Sequence, residues 1–316
     1  MTSASFALIG GPAGLLRVRT QPANAMPGQP LTVQPVVEVT DDGGNIVSSS
    51  AVVVTASIAT GSGSITGGTA PAVNGVATFT ELAVIGQPGQ RTLTFAAAGL
   101  VSVTSAAFTV TSGVPARLIV QQQPGTGISG EPLIGQPVVA VTDADGYVVT
   151  NYSGTVTATV TGGVAAVSSA TVAVVNGLAR FQSLTVTGKI GFYTLQLQSG
   201  SLPSATSGPF ELWPGRGVRL VIRTPPPSTV SDGVPIVPPP EVEVHDASGN
   251  VAWEQATITL VTDATSGTIV NGIAYASGGL ARFVSLALVG PFGERNYRFT
   301  APGLLPTPII RITIGP

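Results

Sequence analysis

Pro35-Val36-Val37-Glu38-Val39-Thr40-Asp41-Asp42-Gly43-Gly44-Asn45 decides the fold. Apolar and polar residues alternate from Val37 onward, the period of a strand with one face buried. The run closes on Asp-x-x-Gly-Asn, a turn in which Asp caps and Gly or Asn takes the positive φ. The same reading returns 102 residues later at Pro137-Val138-Val139-Ala140-Val141-Thr142-Asp143-Ala144-Asp145-Gly146-Tyr147. It returns again, 103 residues beyond that, at Pro240-Glu241-Val242-Glu243-Val244-His245-Asp246-Ala247-Ser248-Gly249-Asn250.

Other landmarks keep this register. Gly28-Gln29-Pro30-Leu31 falls on Gly130-Glu131-Pro132-Leu133. Asn74-Gly75-Val76-Ala77 and Phe79 fall on Asn176-Gly177-Leu178-Ala179 and Phe181, then on Gly279-Leu280-Ala281 and Phe283. A period near 100 residues is long for a solenoid unit and right for a domain. Each period holds about seven short β-branched runs separated by turn signals, the pattern of a two-sheet sandwich. The expected fold class is therefore all-β, three tandem immunoglobulin-like Greek-key β-sandwich domains. Their expected bounds are 13–112, 113–214 and 215–316, with residues 1–12 as a separate N-terminal segment. Leu93, Leu195 and Tyr297 share one register position, and Phe95, Leu197 and Phe299 another; both are expected in the core.

Composition narrows the function. The 316 residues contain no Cys and one His, His245, and only 9% are charged. Disulfides and Cys-based metal sites are excluded. Net charge is −2 with no basic stripe, which argues against nucleic-acid binding. No run of 18 apolar residues offers a membrane-spanning helix, so no membrane insertion is expected. The opening MTSASFALIGGPAGLL has no basic residue before Arg17, unlike a secretory leader. No catalytic residue, cofactor or metal is expected. His245 stands where the other repeats have Thr40 and Thr142, and reads as a surface position at a strand end. The Asp-x-Asp pattern at Asp143 resembles part of a calcium loop, but such a loop needs about six or seven oxygen ligands. The later acidic ligands are missing, and turn capping is the preferred reading. Asn151-Tyr152-Ser153 matches a glycosylation sequon, which matters only in an exported chain.

Taken together, Leu-x-Val-x-x-x-Pro, Gly-Gln-Pro-Leu, Pro-Val-Val-x-Val-x-Asp-x-x-Gly-Asn and Asn-Gly-Val-Ala-x-Phe-x-x-Leu resemble the bacterial immunoglobulin-like (invasin/intimin-type) repeats of adhesins and phage virion proteins. The resemblance covers nearly the whole chain three times. It implies spacing, display and surface binding rather than chemistry. The first functional expectation is a non-enzymatic structural protein of a phage virion: capsid decoration, fibre or tail-appended array, at the virion surface. It rests on a chain that begins at Met without a leader and consists only of modules. The alternative is a spacer or stalk fragment of a secreted or outer-membrane adhesin. A third reading, the accessory region of a carbohydrate-active enzyme, needs a catalytic domain that is not in the sequence. Expected partners are other virion proteins, of capsid or tail, or further copies of the chain. Host surface polysaccharide is compatible with either reading.

Two asymmetries nominate contact residues. Seven of the 13 basic residues lie after position 214, and so do 14 of the 28 charged residues. Arg is a favoured interface residue, so Arg219, Arg223, Arg295 and Arg298 are partner-contact candidates, together with Trp253 as an exposed aromatic. The competing reading is a diverged module with a more solvated surface. Trp213 and Pro214, at the second boundary, are expected to pack across the joint. At the other end, Phe6 and Leu8 fall in register on Phe108 and Val110, the last strand of the first repeat. Residues 1–12 thus read as an orphan final strand. Phe6, Leu8 and Ile9 are its docking candidates, adding to a sheet edge on a neighbouring subunit or docking protein; folding back along the first repeat is the competing reading.

Overall fold

The computed structural model describes residues 11–316. Phe6, Leu8 and Ile9 lie outside the described residues. Every regular element among them is a β-strand. The chain forms two compact units. One holds the described residues up to Arg117 with Val141–Tyr152 and Val175–Gly177; the other holds Leu118–Ala140, Ser153–Val174 and Leu178–Pro316.

The third repeat shows the architecture most plainly. Gly217–Thr224, Glu241–Asp246 and Leu280–Arg282 form one sheet. The other runs Thr229–Ser231, Ile310–Gly315, Gly293–Thr300, Thr257–Thr262, Ile273–Tyr275. Sequential strands are split between the layers, as in an immunoglobulin-like Greek key. Thr229–Ser231 runs parallel to Ile310–Gly315, so the chain leaves the first sheet and starts along the edge of the second. A two-stranded ribbon, Thr268–Val270 with Ala287–Val289, closes one end.

Alternation in the sequence becomes inside and outside. Val242 and Val244 are buried from one sheet, Ile258, Leu260, Tyr297 and Phe299 from the other, and all join one core. Phe283 stacks on Phe299 there with ring centroids 4.8 Å apart. The first repeat repeats this arrangement with Val37, Val39, Leu93 and Phe95, and its Phe79–Phe95 pair lies at 5.4 Å. In the second repeat the register partners Phe181, Leu195 and Leu197 are buried as well. The two core positions expected from register are thus at most 4% exposed in every repeat.

The Asn-Gly turns need both residues in the left-handed region: Asn74 and Gly75 sit at φ 51° and 76°, Asn176 and Gly177 at 50° and 76°. A Cβ on Gly75 would also come within 2.5 Å of the Val47 carbonyl oxygen. That is why glycine stands at this point of the register. His245 stands at a strand end as expected, but the position is turned further inward than a surface site. Thr40 and Thr142 are buried, and the His245 ring is half-buried, 2.8 Å from Glu243 Oε2. Each pairs with the chain returning from the turn, Thr40 with Ile46, Thr142 with Val148 and His245 with Val251.

Candidate functional site

The Asp-x-x-Gly turn does more than cap itself. Asp41 Oδ1 accepts the N–H of Asn45 at 2.8 Å, Asp143 Oδ1 that of Tyr147 at 2.8 Å, and Asp246 Oδ1 that of Asn250 at 2.8 Å. Gly alone takes the positive φ, at Gly44, Gly146 and Gly249. The second carboxylate oxygen reaches back about thirty residues to the glycine that leads into the repeat. Gly11, Gly113 and Gly215 donate their N–H to Asp41, Asp143 and Asp246 at 2.8, 2.9 and 2.8 Å. The entry to every repeat is therefore held by a carboxylate of that repeat. For Asp41 the backbone N–H groups of Asn45 and Gly11 hold the carboxyl below its usual range. For Asp246 burial pushes the carboxyl up, but bonds from the Asn250 side chain and from the N–H groups of Asn250 and Gly215 outweigh it, and the net shift is downward.

Around Asp246 the second and third repeats are stitched together. Asn250 donates its side-chain amide to Asp246 Oδ2 at 2.8 Å and to the Gly188 carbonyl at 2.9 Å, and accepts the Ile190 N–H at 3.1 Å. Lys189 Nζ reaches the Gly249 carbonyl at 2.9 Å. Ser129 Oγ lies 3.0 Å from Ser248 Oγ, and the Ser129 N–H bonds the Trp213 carbonyl at 2.9 Å. Ser129, Asp246 and Asn250 are all buried. The loop that Asn250 grips is itself tied down, because Tyr193 Oη donates to the Lys189 carbonyl at 2.7 Å.

On this joint stand the two tryptophans. Trp213 ends the strand Phe210–Trp213, and Trp253 sits in the loop after the Asp246 turn. Their ring centroids are 6.0 Å apart and tilted by 48°. Neither is a core residue: Trp213 is 39% and Trp253 62% exposed. The Trp253 loop is pinned on both sides, by buried Ala252 and by Glu254, whose Oε1 accepts the Gly217 N–H at 3.0 Å. A groove of about 170 Å³ opens beside the ring pair, lined by Ile190, Gly191, Glu211, Leu212, Trp213, Pro214 and Trp253.

The arginine candidates do not converge. Arg219 and Arg223 are exposed on Gly217–Thr224 in one sheet, where Arg223 lies 3.8 Å from Glu241 and 3.6 Å from Glu243. Arg295 and Arg298 are on Gly293–Thr300 in the other sheet. Arg295 is half-buried, and its Nη2 donates to the Pro291 carbonyl at 2.7 Å. That is the bond Tyr193 makes to Lys189 and Arg91 to Gln87 at 2.6 Å, so this register position ties each repeat's own loop. Arg298 is exposed beside Asp263 and Asn296 in a shallow pocket. Among the described residues no three His, Cys, Asp or Glu side chains gather as a metal site would require. The residues that sequence reading passed over are Asn250, Ser129 and Glu211. Only Asn250 left a trace, as an Asn in register with Asn45 where the second repeat has Tyr147.

No family model matches the sequence, and no curated protein does. Solved structures align along the whole chain. The adhesin FdeC of Escherichia coli is 16% identical over 98% of this chain and 100% of its own, with a TM-score of 0.49. InvD of Yersinia pseudotuberculosis is 15% identical over 95% and 97%, at 0.39. The titin I-band fragment I67–I69 is 14% identical over 98% and 99%, at 0.32.

Proposed function

We propose that the chain is a non-enzymatic structural protein in which joined immunoglobulin-like repeats hold a contact surface at a distance from an attachment point. The observation that carries this is the joint between the second and third repeats. Four side chains, Ser129, Lys189, Ser248 and Asn250, are committed there to holding one sandwich end against the next. Buried polar groups in a fully satisfied network confer a defined geometry. A binding module that acted alone would have no use for it, whereas a spacer depends on it. The reading extends to the surface of a phage virion, as a capsid decoration, fibre or tail appendage. A stalk of a bacterial adhesin at the cell surface uses the same joint in the same way and is the second reading. Immunogold electron microscopy of the native source separates them. Label on capsids or tails supports the first and label on the cell envelope the second. Label confined to the cell interior overturns both.

A further inference from the structure

We propose that the groove lined by Trp213 and Trp253 is a binding site for a cationic side chain, Lys or Arg, presented by a partner protein. The chain has two tryptophans in 316 residues, and they meet although they come from different repeats. The scaffold does not call for them. In register, Trp213 corresponds to Thr111 and Gly315, and Trp253 to Thr150 and Ser48. The sandwich closes at all those positions without an aromatic ring.

Holding the joint does not account for them either. The hydrogen bonds from Asn250, Ser129 and Lys189 already do that, and a residue serving only as a staple would bury its surface. Most of Trp253 stays open to solvent, and the apolar surface continues over Ile190 at 53% exposure and Phe192 at 69%. Phe192 pairs across the sheet with Glu211, two residues before Trp213. Clustered exposed aromatics of this kind mark docking sites.

Charge decides the occupant. An indole face is electronegative and attracts a cation within about 6 Å of the ring centroid. Glu211 is the one charged residue among those that line the groove. Ring faces and carboxylate therefore favour the same ligand, a guanidinium or ammonium group whose aliphatic stem lies on the rings. The frame is fixed beforehand by the bonds to Ile190, Ala252 and Glu254, so little ordering remains to be done on binding. The inference adds to the spacer reading without depending on it.

Both tryptophans are in the groove, so tryptophan-selective fluorescence of the full chain reads this site alone. Titration with a hexa-arginine peptide at near-physiological salt is expected to give a saturable change. Glu211→Gln should weaken it about fivefold, Trp253→Ala should remove it, and Glu81→Gln, an exposed acid in the first repeat, should leave it unchanged. Glu211→Gln alters an exposed side chain only, so its result does not hinge on folding. Absence of a saturable change overturns the proposal. Equal titration of wild type, Glu211→Gln and Glu81→Gln also overturns it, as non-specific attraction. A saturable response to a neutral glucose oligomer that is indifferent to Glu211 assigns the groove to sugars instead. None of these outcomes bears on where the protein is displayed.

Discussion

Asn250 donates to the Gly188 carbonyl at 2.9 Å and accepts the Ile190 N–H at 3.1 Å, so one buried side chain satisfies both faces of a loop in the preceding repeat. It also holds Asp246, which holds Gly215. The turn of one sandwich, its entry segment and the end of its neighbour share this single amide.

Removing it strands one partner and weakens two others. Asn250→Ala leaves the Ile190 N–H without its acceptor and takes one of two donors from Asp246 Oδ2 and one from the Gly188 carbonyl, at a cost of about 1–3 kcal/mol. The expected readout is faster hydrogen exchange at Ile190. Calorimetric transitions of the second and third repeats should also separate. Unchanged exchange at Ile190 would show that the amide does not hold the joint.

The linker glycines should differ in tolerance. A Cβ on Gly215 would collide with the Ser129 main-chain oxygen, which belongs to the joint and cannot swing away. At Gly113 the nearest atom is the Asp143 Cβ at 3.1 Å, so a small shift suffices. Gly215→Ala should therefore lose about 1–3 kcal/mol and Gly113→Ala clearly less. Chemical denaturation of the two variants side by side checks the order.

The cores of the first and third repeats share no residue. Phe299→Ala should cost about 3–5 kcal/mol in the third repeat, since the ring is fully buried against Phe283. The melting of the first repeat should not move. Residues 215–316 expressed alone should fold with a cooperative transition, which tests whether the repeat bounds are folding bounds. A fragment without such a transition would show that the third repeat needs its neighbour.

Acid should loosen the entries. Asp41 and Asp246 have folded carboxyls held below their usual range by donated hydrogen bonds. A depressed carboxylate contributes stability above its unfolded pKa and loses it as pH falls through the folded pKa. The Gly11 and Gly215 contacts should thus be intact near neutrality and weaken only below the usual carboxylate range. Carboxyl NMR titration should place both midpoints under those of exposed Asp side chains. Asp246→Asn should flatten the acid limb of the third repeat's stability profile.

Much of this protein is legible in its sequence. Strands, turns and the core positions of Leu93, Phe95 and their equivalents followed from alternation and register, because a strand's inside and outside are set by residues two apart. The Asp of each turn was legible as a cap, but its bond to a glycine about thirty residues earlier was not. That Thr40 and Thr142 are buried and His245 half-buried was not legible, because register alone does not say how the chain returns after the turn. Arg295 read as an interface residue by its type. Its tie to Pro291 depends on the inward direction of its position at the end of a strand.

What the sequence determined by itself is the sandwich fold and its repeating register, since local periodicity and turn chemistry suffice to specify them. What only the tertiary structure decided is the joint. Asn250 meets Gly188 across 62 positions, and Trp213 meets Trp253 because that bond and its neighbours fix one sandwich end on the next. Such partners are chosen by the packing of two finished domains, and no periodicity in the chain encodes how two finished surfaces meet.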